Sequence, residues 1–377
     1  MTEIDYSSLI GREDLNDLEA ILSVSNTDVD AANHSVAATV HTDFTWNYER
    51  SRPALSKLYE KAKTSQWNVT TDLDWSIDVD IEKVVVENMA QQAIDGTSFF
   101  GNADLSGTSF AKWTEKEWIQ LGVEGNNWTM SQFLHGEQGA LVCTARIVET
   151  VPWIDAKYYA ATQVMDEARH VEVFSRYLNE KMNGHYPINA HLGMLLDDII
   201  TDQRWDMTYL GMQIMVEGLA LAAFGFMHQM TTEPLLKKLL RYVMSDEARH
   251  VAFGVLSLQE FYQELSAAEI RERQEFTFEA AVRMRDRFLQ QEVWDRMGVN
   301  VKEALQLVLQ DESRGMFQAL LFSKIVPNCK KLGLLDAGDG WLRDRFTEIG
   351  VIQFEDWVDT GAEYEELDAV AADRATA

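Results

Sequence analysis

The pentapeptide Asp-Glu-Ala-Arg-His occurs twice, at Asp166–His170 and at Asp246–His250, each time followed by valine. The offset between the copies is 80 positions (246 − 166), and the same offset carries Glu137 onto Glu217. Each copy therefore has a glutamate 30 positions ahead of its motif glutamate (167 − 137 and 247 − 217). A repeat this literal implies two equivalent structural units. Residues three apart on a helix share one face at about 5 to 6 Å, so Glu167 with His170, and Glu247 with His250, can each grip one cation. Oxygen and imidazole ligands without a thiolate suit iron or manganese better than structural zinc. Four carboxylates balance two divalent ions, and inside a helical core they would be strongly destabilising without them.

The elements that must position these residues follow from the spacing. Glu137 to Thr150 and Ile154 to Glu167 each cover 13 steps, a rise of ~20 Å, so a hairpin turning near Pro152 brings the two glutamates level. Glu217 to Met230 and Pro234 to Glu247 repeat the arithmetic around a turn at Thr231 to Glu233. Between the hairpins, the Asn183–Pro187 run breaks the helix, and the next twenty or so residues suit a crossover with its own helical portion at Leu192–Ile200. The expected fold is all-α, with a four-helix bundle over residues 126–265 whose interior carries a di-metal centre. Glu217 argues hardest for a buried cation, because it sits in the apolar run Met215–Phe224, where a solvated glutamate would be out of place. The apolar stretch Ile214–Met227 is too short to cross a bilayer and has Glu217 inside it.

The remainder is expected to surround that bundle. Residues 1–125 form an N-terminal helical extension with an amphipathic helix at Arg52–Trp67 and a tryptophan-rich stretch through Trp113, Trp118 and Trp128, with no chemistry assigned to it. Residues 266–350 supply long helices, Ala267–Met297 and Val301–Lys324, and residues 351–377 form an acidic flexible tail. Five prolines in 377 residues favour long uninterrupted helices. The formal charge of -28 repels nucleic acid and anionic lipid. Two cysteines far apart, Cys143 and Cys329, and an N-terminus without a basic start and apolar run point to a reduced, cytoplasmic protein. His34, His41, His185 and His191 read as surface residues, and His135 and His228 lie off the metal face.

Metal-bound histidines usually donate their other N–H to a carboxylate. The duplicated Asp166, Arg169, Asp246 and Arg249 could meet that need across the bundle, each aspartate neutralised by an arginine. One helical turn from the ligands lie Phe133, Ala140, Leu141, Phe174, Gln213, Ala220, Leu221 and Phe224, which are expected to line a mainly apolar substrate pocket with Gln213 as its polar handle.

With its doubled Asp-Glu-x-Arg-His, the stretch from about Asn126 to Leu265 resembles the ferritin-like di-iron oxygenase superfamily. That superfamily includes bacterial monooxygenase hydroxylase subunits, acyl-carrier-protein desaturases, ribonucleotide reductase small subunits and arylamine N-oxygenases. The resemblance implies metal ligation by Glu137, Glu167, His170, Glu217, Glu247 and His250. It implies two iron ions cycling between Fe2+ and Fe3+, or a Mn/Fe pair, with O2 as co-substrate and electrons from a reductase or ferredoxin. A homodimer is expected by analogy. Three positions depart from named subgroups: Phe174 stands where a radical tyrosine would, with Tyr177 the nearest substitute. Leu221 stands where aromatic hydroxylases place threonine, and Val243 where N-oxygenases add a histidine. The leading expectation is an oxidase or oxygenase for a small, mainly apolar organic molecule. The alternatives are a ferroxidase or iron-storage protein, or an R2-like radical-generating or Mn/Fe oxidase subunit.

Overall fold

A computed structural model of the chain describes residues 14–25, 33–94, 100, 103–182, 184–310, 319–368 and 373. In chain order its principal helices are α1 (Leu18–Ser23), α2 (Pro53–Thr64), α3 (Ile81–Ile94), α4 (Glu115–Thr150), α5 (Ile154–Lys181), α6 (Ala190–Thr201), α7 (Trp205–Met230), α8 (Pro234–Phe261), α9 (Ala267–Arg287), α10 (Gln291–Arg296), α11 (Val301–Gln310), α12 (Ile325–Lys331), α13 (Trp341–Glu348) and α14 (Thr360–Glu363). No strand occurs among the described residues.

The bundle is α4, α5, α7 and α8, paired as two antiparallel hairpins, α4 with α5 and α7 with α8. The α4 helix starts well upstream of residue 126. Glu117 explains the early start, since its carboxylate accepts the Thr114 N–H at 2.7 Å in a capping-box arrangement. At the second hairpin, Pro234 occupies the first turn of α8, where its missing N–H costs nothing. The Glu233 carboxylate caps that turn by accepting the Leu235 and Leu236 N–H groups at 2.7 and 2.6 Å. The crossover contains α6, capped by the Asn189 side chain.

One interruption bears on the site. Leu210–Val216 of α7 is wound as a π-helix, and the Glu217 N–H reaches back five residues to the Met212 carbonyl. Such turns are uncommon and tend to occur at functional positions, because the extra residue re-aims the side chains around it. By length and composition Trp205–Met230 could cross a membrane, but it is largely buried within the bundle and carries Glu217.

Several expectations about the surrounding helices are corrected. The helix expected over Ala267–Met297 is broken after Arg287: Gln290 adopts φ 56°, and the Leu289 carbonyl freed by the break accepts the Trp294 indole N–H at 2.8 Å. Of the expected Val301–Lys324 helix, Val301–Gln310 is helical as α11, residues 311–318 lie outside the described ones, and Leu321–Ser323 is a 3-10 turn rather than α-helix. Among the described residues the acidic end docks rather than frays. The Ser65 hydroxyl donates to Asp368 at 2.8 Å, Arg241 and Tyr242 donate to Asp373, and Thr360 is fully buried. His191, expected at the surface, is buried at the start of α6. The tryptophan-rich stretch is packing: Phe110, Trp113 and Trp118 form one aromatic cluster with Phe100 and Trp294. Burying each large apolar side chain there contributes about 1.5 to 3 kcal/mol.

Candidate metal centre

All six residues singled out by the repeat meet at mid-height of the bundle and are buried: Glu137 and Glu217 5% and 2% exposed, Glu247 1%, and Glu167, His170 and His250 fully enclosed. Their oxygen and nitrogen atoms form two overlapping groups. One contains Glu137, Glu167, His170 and Glu247, and the other Glu167, Glu217 and His250, with ligand atoms all within 4.8 Å of one another in each. Both imidazoles turn Nδ1 inward. His170 Nδ1 lies 3.2 Å from Glu137, 3.3 Å from Glu167 and 3.1 Å from Glu247. His250 Nδ1 lies 3.0 Å from Glu167 and 3.7 Å from Glu247. Glu167 and Glu247 thus stand between the two imidazoles, within reach of both positions.

The electrostatics are those of a site that requires cations. Burial pushes the Glu137 carboxyl up to about 8, aided by the Glu247 charge and opposed by His170. Burial, and then repulsion from Glu167 and Glu247, carries Glu217 well above the carboxylate range. Against the effect of burial, Glu137 and Asp246 hold His170 well above the ordinary imidazole range, and Glu167 and Asp166 do the same for His250. Oxygens of Glu167, Glu217 and Glu247 are buried without a hydrogen-bond donor. Buried orphans of this kind are costly, and two divalent ions would satisfy them together. The donor set is carboxylate and imidazole only, which fits iron or manganese.

The outward Nε2 atoms find carboxylates in a crossed pattern. His170, from the first motif, meets Asp246 of the second at 3.1 Å, while His250 meets Asp166 of the first at 3.3 Å. Arg169 bridges Asp166 and Asp246 at 2.6 and 2.8 Å, and Arg249 also donates to Asp246. Burial would raise Asp246, but Arg249, Arg169 and the His170 bond together hold it well below the carboxylate range. Each aspartate fixes the tautomer of the histidine it meets, and the two arginines keep Asp246 ionised.

Three participants were not anticipated. Trp67 donates its indole N–H to Asp246 at 2.7 Å, and Arg169 lies over the Trp67 ring at 4.8 Å. Gln66 donates to Asp166 at 3.0 Å and accepts from Arg169 at 2.7 Å. Both come from the end of the α2 segment, where no chemistry was expected. The Gln163 amide donates to Glu167 at 3.0 Å and to Glu217 at 2.9 Å. Gln163 lies one turn before Glu167 on the same face, a spacing that could have pointed to it. The charge on Glu217 could not, since it suggested only a metal.

A narrow cleft opens beside the centre. Phe133, Gly136 and Ala140 of α4 face Val216, Ala220 and Phe224 of α7 across it, with Glu137, Glu217 and Glu247 at its base. Measured to water centres its volume is about 20 Å³, room for one or two waters at ~10 to 15 Å³ each. Of the residues expected around a pocket, Phe133, Ala140, Ala220 and Phe224 are on this wall. Phe174 stands behind it, its ring 5.8 Å from Phe133 and 5.7 Å from Phe224. Leu141, Leu221 and Gln213 do not line the cleft. Gln213 instead sits in the π turn against Gly254, with both amide atoms buried and unpartnered. Tyr177 donates to the Glu233 cap of α8 at 3.0 Å, so its hydroxyl belongs to that helix end.

Neither a family model nor a curated protein matches this chain. Among solved structures it is similar to a point variant of R2-like ligand-binding oxidase with anaerobically reconstituted Mn/Fe cofactor, at 19% identity and a TM-score of 0.47, covering 77% of this chain and 98% of that one. It is also similar to R2-like ligand-binding oxidase with aerobically reconstituted Mn/Fe cofactor after a long soak, at 19% identity and a TM-score of 0.44, covering 85% and 99%. The reading of the site rests on this chain's own geometry. Two glutamates on α4 and α7, and a Glu-x-x-His pair on each of α5 and α8, converge inside one bundle, and that is the arrangement of ferritin-like di-metal carboxylate proteins.

Proposed function

We propose that this chain is an oxidoreductase, a di-metal oxidase or oxygenase that uses O2 to oxidise a small organic molecule reaching the metals by way of the α4–α7 cleft. The observation that carries this reading is the convergence of six buried ligands, held by crossed aspartates, beside a cleft walled by Phe133, Val216 and Phe224. Iron, or an iron and manganese pair, held by these ligands would supply the oxygen chemistry. The protein's part is positioning. Glu137 and Glu217 face the cleft, Glu167 and Glu247 lie between the two positions, and Asp246 and Asp166 hold the histidines. The aromatic wall of Phe133, Phe174 and Phe224 excludes water and favours an apolar substrate body.

Turnover would draw two electrons from a separate donor protein, and a chain of charge -28 favours a donor that presents basic residues. The alternative of iron storage is disfavoured by the helices and segments packed around the bundle on both sides. Radical storage near the first histidine is disfavoured by Phe174, fully buried against two other rings. The test is to load the protein anaerobically with Fe2+, admit O2, and follow its consumption while tracing 18O into candidate products. Consumption coupled to substrate oxidation is expected. Slow mineralisation of excess iron without organic product would instead favour the ferroxidase.

A further inference from the structure

Arg287, at the C-terminal end of α9, also lines the cleft. This side chain is 4% exposed, its Nε has no hydrogen-bond partner, and among the described residues no carboxylate comes within ion-pair reach of it. The other buried arginines of α9 are all paired: Arg273 with Asp206 at 3.0 Å, and Arg283 with both Asp198 and Glu279. Arg287 has only the Phe288 ring, 4.8 Å from its guanidinium. Burial alone draws its pKa down to about 10, so it remains a cation at neutral pH, and no neighbouring charge offsets that burial. A buried guanidinium without a counter-ion is costly unless something anionic completes it.

The glutamates at the base of the cleft do not complete it. Glu137, Glu217 and Glu247 line the same space, yet none comes within ion-pair reach of Arg287; they repel one another and are answered by the two histidines, and the metals would take up what is left. Gly136 and Ala220, half-buried on facing helices, keep the mouth open, and a Cβ added at Gly136 would meet nothing within 4 Å. The cleft therefore joins an apolar wall, a metal-binding base and an isolated cation.

We infer that Arg287 is the anchor for the anionic head of an organic acid, a carboxylate or a comparably small oxyanion, whose apolar body lies along Phe133 and Phe224 towards the metal centre. A planar guanidinium holds a carboxylate through two parallel hydrogen bonds, which fixes direction as well as position. The cleft as it stands has room for only one or two waters, so a slender acid enters by turning Phe133 or Phe224 aside, and a bulky one is excluded. The inference deepens the oxidase reading, and rests on it only in calling the bound acid a substrate.

The test measures calorimetric binding of butyrate, butyramide and propane-1-sulfonate to the metal-loaded protein, as wild type and as Arg287→Met and Arg287→Lys. Butyrate is expected to bind wild type at least tenfold more tightly than butyramide. Propane-1-sulfonate, a poor metal ligand, should share that preference. Arg287→Met should abolish it while retaining two metals per chain and a melting temperature no lower than wild type, and Arg287→Lys should weaken it severalfold. Equal binding of butyrate and butyramide to wild type would overturn the inference. So would a butyrate preference that survives Arg287→Met, or one that propane-1-sulfonate does not share, since either assigns the anion to the metals. The wild-type comparison stands even if neither variant accumulates. Anion binding without O2 consumption would remove the oxidase reading and leave the anchor; O2 consumption without anion preference would do the reverse.

Discussion

The two halves of the metal centre are written with the same five letters and are not equally supported. Asp246 of the second motif receives the Trp67 indole, Arg169, Arg249 and His170, whereas Asp166 of the first receives Gln66 and Arg169 and meets His250, with Arg249 at 3.8 Å. On the opposite wall, Glu137 rises from a regular helix, while Glu217 follows a π turn that carries an unpartnered glutamine. Duplication thus supplies the ligands, and non-repeated residues make the two positions different. A site with unequal halves can hold two different metals, or give them different roles.

The largest expected effect breaks the equivalence at its shared members. Glu167→Ala removes a carboxylate within reach of both positions, so iron content should fall from about two per chain to below one. Glu137→Ala should leave the Glu217 and His250 position occupied. Elemental analysis after anaerobic loading separates these outcomes, and equal loss in both variants would mean that the positions are not independent.

Next in size is the contrast between the aspartates. Asp246→Asn should weaken metal binding on the order of 10- to 100-fold, and Asp166→Asn less, because Asp246 carries the larger set of charged partners. Competition with a chelator gives both affinities, and the reverse order would contradict the asymmetry. Trp67→Phe, which keeps an aromatic side chain but loses the indole N–H and part of its packing, should cost at least about 1.5 to 3 kcal/mol of stability in denaturant melts.

The two halves agree in their response to pH. Glu137, raised to about 8, and Glu217, His170 and His250, all raised, bind protons more tightly in the folded metal-free protein than in the unfolded chain. Their stabilisation is present at low pH and is lost as pH rises through the folded values. Between about pH 5 and 8 the melting temperature of metal-free protein should therefore fall. That of the loaded protein should not, because metals displace those protons, and metal affinity should rise over the same interval. A metal-free protein that grows more stable from pH 5 to 8 would contradict these directions.

The smallest effect probes the π turn. A Cβ at Gly254 would lie 2.7 Å from the Gln213 Cβ, so Gly254→Ala should displace Gln213 at a cost of about 1 to 3 kcal/mol from overpacking, partly offset by better helix propensity. Thermal melts, with metal content as control, measure it.

What was legible in the sequence was whatever repeats or follows helical spacing. Six ligands shared an offset of 80, equal arms brought them level, and duplicated Asp and Arg stood where a histidine partner was needed. That an aspartate would reach a histidine across the bundle was expected; which aspartate meets which histidine is settled by the fold. Gln66 and Trp67 were illegible: they occur once, about 100 and 179 positions from their aspartates, and only packing of α2 on α5 and α8 brings them there. Arg287 was hidden for the same reason, since an arginine in a charged amphipathic helix reads as solvated until its burial is known. The break at Gln290 and the docked Thr360 and Asp368 depend on tertiary partners that outweigh local propensity.

The central claim is that one chain holds two metal ions with oxygen and imidazole donors, and X-ray absorption at the iron edge of wild-type protein loaded to saturation tests it most directly. The account predicts two ions per chain, a metal–metal scattering path, about one imidazole per ion and no sulfur in the inner coordination sphere. One ion or fewer per chain, or a sulfur donor, would contradict it.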